Sequence, residues 1–98
     1  MNELIRQAQL MQKKMLRTQE EMGKKEVEAS VGGGMVTVRA TCGGEVLSVS
    51  IDKAVLEDVD MLQDMVLSAV NEALKKGKDQ MQAEMSQITG GMKIPGLF

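Results

Sequence analysis

Between Glu26 and Asp52 the chain alternates apolar and polar residues with a period of two, and no other feature limits its fold so tightly. Val27, Ala29 and Val31 alternate with Glu26, Glu28 and Ser30. Val36, Val38, Ala40 and Cys42 alternate with Thr37, Arg39 and Thr41, and Leu47, Val49 and Ile51 with Val46, Ser48 and Ser50. Side chains two apart on a strand share a face, so each run has an apolar face and a wetted one, the pattern of an antiparallel meander. Gly32-Gly33-Gly34 and Gly43-Gly44 separate the runs. The second pair suits the positive backbone angles of a two-residue hairpin loop. The pattern predicts strands over residues 26–31, 35–42 and 45–52.

Helical periodicity flanks these strands on both sides. Over residues 2–24, Leu4, Ala8, Met11, Met15 and Met22, with Thr18 filling one position, recur at spacings of four and three. That seam suits a helix packed lengthwise on another helix. A second helix is predicted over residues 60–88, capped by Asp58 or Asp60, with Asp60 and Gln63 at capping-box spacing. Leu62, Met65, Val66, Ala69, Val70, Ala73 and Leu74 give it a broad apolar face fit to lie on a sheet, which narrows beyond Gly77 to Met81, Met85 and Ile88. Gly90 and Gly91 stop the helix, and residues 90–98 have no period and read as a flexible C-terminal tail. The expected class is α+β: one α-β-β-β-α domain over residues 1–89, a small antiparallel three-stranded meander flanked by two long helices.

The composition narrows the chemistry. The chain has no histidine, a single cysteine at Cys42 and a single aromatic, Phe98. An intramolecular disulfide and the usual zinc ligand sets are therefore excluded. Serine and threonine lack a histidine base, and the Gly32–Gly34 run lacks the lysine and the strand-turn-helix setting of a phosphate-binding loop. No catalysis, cofactor, metal or small-molecule substrate is expected. No apolar run reaches the length of a membrane span, and the amphipathic N-terminus does not read as a signal peptide, so a cytoplasmic protein with no membrane partner is expected.

The net charge of −2 is unevenly spread. Residues 1–25 carry six cations against three acids, residues 26–72 two against nine, and residues 73–98 four against two. Basic ends thus bracket an acidic middle. At about 100° per residue, Lys13, Arg17 and Lys24 fall within about 20° of Arg6, opposite the apolar seam. The four make a stripe about 27 Å long. Lys14 and Lys25 flank it, and Lys75, Lys76 and Lys78 cluster around Gly77 on the second helix. Such a stripe is either a solvated outer face or a surface for an anionic partner, and with Phe98 the one aromatic the chain has little to stack on single-stranded bases.

A six-residue strand spans about 20 Å, whereas the two predicted helices span about 35 and 42 Å. Three short strands cannot cover both helices, and the sheet has open edges. A second copy covering some of the projecting seams and edges is the expected remedy.

The chain resembles the YbaB/EbfC family of small bacterial nucleoid-associated proteins. The resemblance lies in Gly32-Gly33-Gly34-Met35-Val36 entering a strand, the helix core from Asp64 to Leu74, and the ending Thr89-Gly90-Gly91-Met92 with Pro95-Gly96-Leu97-Phe98. Gln7-Ala8-Gln9 and Met11-Gln12 also suit the family's first helix. It covers essentially the whole chain, departing in the acidic link, which has no proline after Asp52. It implies a tweezer-like homodimer whose helical arms project from a joined sheet, and DNA binding that organises the chromosome and influences gene expression. The expectation is a nucleoid-associated protein that binds duplex DNA with little sequence specificity through Arg6, Lys13, Lys14, Arg17, Lys24, Lys25, Lys75, Lys76 and Lys78. The competing reading is a scaffold that grips a protein client with its Met-rich arms, through Met11, Met15, Met81 and Met85.

Overall fold

A computed structural model describes residues 2–89. The order is helix α1 (Asn2–Gly23), strands β1 (Glu26–Val31), β2 (Val36–Thr41) and β3 (Val46–Ile51), a 3-10 turn at Lys53–Val55, and helix α2 (Val59–Thr89). The expected tail, residues 90–98, lies outside the described residues. The strands form one antiparallel sheet in the order β1-β2-β3.

The alternation seen in the sequence becomes a two-faced sheet. Val27, Ala29, Val36, Val38, Ala40 and Cys42 are buried on the inner face, and Val36, Val38 and Ala40 are wholly enclosed. Burial of each such valine contributes about 1.5–3 kcal/mol. Glu26, Glu28 and Ser30 lie outward, where Arg39 pairs with Glu26 and the Ser30 and Thr37 hydroxyls meet at 2.8 Å.

The two turns differ in kind. All three glycines of the β1–β2 turn have positive φ, 62° at Gly32, 67° at Gly33 and 93° at Gly34, a conformation side chains resist. The β2–β3 loop has three residues instead of the expected two, because Thr41 and Glu45 still pair: the Thr41 N–H donates to the Glu45 carbonyl at 2.8 Å. The Cys42 N–H is drawn to the Lys25 carbonyl at 2.8 Å and the Gly43 N–H to the Gly23 carbonyl at 3.3 Å, which ties the loop to the end of α1. Gly44 then closes it with φ 99°.

Asp58 caps α2, its side chain accepting from the Met61 N–H at 3.0 Å, so of the two candidate caps the earlier is used. Ala69 and Ala73, one turn apart and fully buried, let α2 lie close on β1 and β2. Gly77 continues that small-residue row to the rim of the sheet. A Cβ placed there would stand 2.9 Å from the Cys42 Cα and 3.0 Å from the Thr41 carbonyl oxygen. Just past Gly77 α2 runs off the rim of the sheet, with Gln80 still bonded to Cys42, and α1 packs against it, with Met15, Met22 and Met85 buried.

The molecule is a rod of 66 × 19 × 17 Å with a radius of gyration of 18.1 Å. A compact domain of this length has a radius of about 13 Å. The excess is the arm formed by α1 and the second half of α2. The 22 residues of α1 outrun the 12 residues of α2 beyond Gly77 by about 15 Å. Leu4 and Met11 in that projecting end are exposed although they continue the seam of Met15 and Met22.

Gly77→Ala is expected to lower stability by about 1–3 kcal/mol, since the atoms in its way are backbone and cannot swing aside. This holds although alanine is the better helix former by about 1 kcal/mol. A lower urea midpoint with an unchanged m-value is the signature to measure.

Candidate nucleic-acid interface

α1 presents its charge by simple helical phase. The seam of Met15 and Met22 faces α2 and is buried, so Arg6, Lys13 and Arg17, on the opposite side, point away from α2, while Lys24, expected within the helix, lies in the turn just past its end at Gly23. All four are exposed, and among the described residues none is paired with a carboxylate. Lys14 and Lys25 are exposed beside this line. Uncommitted ammonium and guanidinium groups at the spacing of helical turns match a row of phosphates better than they match one ligand, because each contact is separate and solvated. Arg6 and Lys13, with Gln9, Leu10, Gln12 and Leu16, also line a shallow recess on the free end of α1. The recess adds amide donors and acceptors between the cations.

The second cluster is divided. Lys75 and Lys78 lie about 140–200° around α2 from Ala73, which faces the sheet, and both are exposed to solvent. Lys76 turns toward the sheet margin, where its ammonium donates to the Glu28 carbonyl at 2.9 Å. It satisfies a backbone acceptor on an edge strand, in a hollow shared with Glu26, Glu28 and Asp79. Lys75 and Lys78 thus stand on the other helix from the α1 stripe.

The sheet offers little to an anion. Its cation, Arg39, is engaged by Glu26 on a face that also carries Glu28. Cys42 is buried and its thiol donates to Gln80 Oε1 at 3.6 Å. Burial pushes the thiol pKa up, with nearby Lys25 pulling the other way. Among the described residues no group of His, Cys, Asp and Glu could hold a metal ion, and no helix is long and apolar enough to cross a membrane. Of the four methionines of the client-gripping reading, Met15 and Met85 are buried between the protein's own helices, Met81 is half-buried and Met11 is exposed.

One feature escaped the sequence pattern. A β-bulge shifts the register of β3, so that Arg39 faces Ser48 while Ala40 faces Val46, and Leu47 is the extra residue. Val46 therefore joins the inner face opposite Ala40, although alternation placed it outward. The cue was present in the content of β3, whose Val46, Leu47, Val49 and Ile51 are interrupted only by serines.

The comparison with known proteins turns on this same arrangement of helix, meander and helix. A profile of the YbaB/EbfC DNA-binding family matches residues 1–92. The chain belongs to that family. It is a family of nucleoid-associated, DNA-binding proteins of bacteria. A protein of Pelotomaculum thermopropionicum named a nucleoid-associated protein is 52% identical over 100 residues, covering 100% of this chain and 95% of that protein. One of Acetivibrio thermocellus with the same name is 53% identical, covering 99% and 88%. The crystal structure of the uncharacterised protein HP0035 of Helicobacter pylori superposes with a TM-score of 0.79 at 26% identity, over 92% of this chain and 97% of that one. The YbaB-like α+β fold is thereby shown alongside the family.

Lys13→Gln and Lys76→Gln separate the two roles of these cations. Lys13→Gln should weaken duplex binding in a gel shift and leave the urea midpoint unchanged. Lys76→Gln should cost about 0.5–1 kcal/mol of stability and weaken binding less. The buried thiol gives an independent check: at pH 8, Cys42 should react with a disulfide reagent at least tenfold more slowly in the native protein than in urea. Because its native pKa is raised, its contribution to stability is complete below the unfolded thiol's pKa, near 8.5, and declines as pH rises through the native value.

Proposed function

We propose that this chain acts in the bacterial cytoplasm as a non-enzymatic, nucleoid-associated homodimer that binds duplex DNA along its basic helical arms and so influences gene expression. The observation that carries the reading is the free row Arg6, Lys13, Arg17 and Lys24, directed away from the body of the protomer on an arm that stands clear of the acidic sheet. The family supports DNA as the ligand, and the names of the relatives support the nucleoid as the place.

The chemistry of the row sets the mode of binding. Phosphate contacts supply affinity through release of counterions and carry no base information. Aromatic side chains that would stack on single-stranded bases are absent from residues 1–97. The acids of residues 52–64, namely Asp52, Glu57, Asp58, Asp60 and Asp64, lie at the end of the body away from the arm. They repel the duplex there and favour approach arm first. Two protomers supply two such arms. Binding at two arms raises the apparent affinity without any new contact type.

A gel shift on several unrelated duplexes over a salt series tests this reading. With roughly four to six phosphates neutralised, log affinity should fall against log salt with a slope of about −4 to −5, similarly for every sequence. Reversing the charge of Arg6, Lys13 and Arg17 together should abolish the shift while circular dichroism and urea midpoint hold. A triple variant that still shifts duplex at the wild-type concentration would sink the assignment.

A further inference from the structure

The two helices of the arm do not end together. Gly23 of α1 and Gly77 of α2 both abut the β2–β3 loop, which sets the helices level there. Met15 and Met85, each about two helical turns further out, are both buried. By the same count Thr89, the last described residue of α2, stands level with Met11, and α1 runs on for about 15 Å beyond it. The apolar seam continues along that stretch. Leu4, Ala8 and Met11 keep the phase of Met15 and Met22, yet Leu4 is 68% and Met11 43% exposed, against 9% and 6% for Met15 and Met22. Ala8 is exposed as well. By helical phase the seam's neighbours here are Gln7 on one side and Ile5 and Gln12 on the other, so no charge interrupts the strip. A helical stretch of about ten residues without a tertiary partner is marginal in water, and this one carries Arg6.

We propose that residues 90–98 of the same chain cover this strip, laying Met92, Ile94, Leu97 and Phe98 over Leu4, Ala8 and Met11. Position, reach and composition single out this occupant. α2 reaches Thr89 beside Met11, where the uncovered strip begins, so the residues that follow start against it. Nine residues span up to about 30 Å when extended, twice the gap. Gly90-Gly91 free the backbone to leave the helical direction, and Pro95-Gly96 is a turn dipeptide that lets the segment double back within the space at hand. Met92, Ile94, Leu97 and Phe98 are large and apolar, and Lys93 is the one charged side chain among the nine. A strip without charge and a segment with a single charge match each other, whereas a phosphate row has nothing to pair with on this side of α1. Tethering at Thr89 makes the contact intramolecular, which favours it over the same contact from a free partner. The cover lies across α1 from Arg6 and Lys13, so it leaves those cations open while it holds in place the turns that carry them. It forms whether or not the arm binds DNA and whether or not the chain pairs with a second copy.

The chain has no tryptophan and no tyrosine, so the full-length variant Phe98→Trp carries a single fluorescent reporter on the segment. Its emission should lie at shorter wavelength in the native protein than in urea, with quenching by acrylamide at least threefold weaker. Adding Leu4→Asp, a change at an exposed helix position, should return both readings to their urea values while most of the helical circular dichroism is kept. Native emission already at the urea position, or a native signal indifferent to Leu4→Asp, overturns the proposal. A second measurement covers the case in which the charged variant loses structure, and it also decides whose segment lies on the strip. A chain carrying Cys42→Ser, Leu4→Cys and Leu97→Cys, treated with a short bismaleimide, should close on itself and keep the mass of one chain on a denaturing gel. The same chain with Glu57→Cys in place of Leu4→Cys, at the far end of the molecule, should stay open. A product of twice the mass from the Leu4→Cys chain would assign the strip to a second copy, and that result, like the absence of any cross-link, overturns the proposal.

Discussion

Everything distinctive about this molecule depends on how closely α2 can lie on two strands and where that closeness stops. Ala69, Ala73 and Gly77 form a row with almost no side-chain bulk, so the helix axis settles near the sheet over β1 and β2. At Gly77 the row meets the β2–β3 loop, whose Gly43 N–H is bonded to the Gly23 carbonyl at the end of α1. Two close approaches therefore adjoin on this loop, Gly77 against the backbone of Thr41 and Cys42 and Gly43 against Gly23. The convergence makes α1 and α2 leave the sheet together, side by side, and so creates an arm. A Cβ at Gly77 would press on the backbone of Thr41 and Cys42 and one at Gly43 on the Gly23 carbonyl oxygen at 3.0 Å, whereas one at Gly23 would meet only the Gly43 Cα at 3.9 Å.

The arm is a consequence of length as much as of packing. Three six-residue strands support about 20 Å of helix, and α2 has 31 residues. The surplus needs its own hydrophobic partner, which α1 supplies through the methionine seam. Methionine suits this place because its unbranched chain adapts to a two-helix contact that lacks a third wall. The same economy separates the charges. Acids sit on the sheet's outer face and on the link and first turn leading into α2, where Asp58 caps the helix and Asp64 lies near its positive end. The arm as a whole is balanced in charge, with Glu3, Glu20, Glu21, Asp79 and Glu84 on it, but its cations on α1 gather on one face, where none is ion-paired among the described residues. A net negative protein thus offers one positive face.

Much of this was legible in the sequence, for physical reasons. Strand alternation and helical seams are written in periods of 2 and 3.6, and those periods hold wherever one face is buried against the other elements of the same chain. The basic stripe of α1 was legible for the same reason, since helical phase alone places Arg6, Lys13 and Arg17 opposite Met15 and Met22, although Lys24 falls just past the helix end. Lys76 was not. Its role depends on a carbonyl 48 residues away, a tertiary fact with no local trace. Nor was the bulge at Leu47, which changes the face of Val46 by one slip of register and which alternation cannot foresee. The three-residue loop at Cys42–Gly44 was missed because its conformation is set by bonds to Gly23 and Lys25, not by its own two glycines.

The places where periodicity broke down are also the places where the protomer is incomplete. β3 reads as too apolar for an outer strand, and in the structure it is too exposed for an inner one. A strand that satisfies neither description within one chain would satisfy both if a second chain covered it. Partial burial of Val46, Leu47, Val49 and Ile51 leaves a large share of the hydrophobic stabilisation of this end ungained. The domain is small enough for that share to matter against a total of about 5–15 kcal/mol. Association at β3 would therefore act on folding and on function through one free energy: it would complete the core of each protomer and fix two basic limbs at a set separation. A duplex that engages both limbs favours the dimer over the free chains, and the dimer in turn favours the duplex, by the same factor. On the proposed reading, apolar surface left over by one chain would couple assembly to DNA.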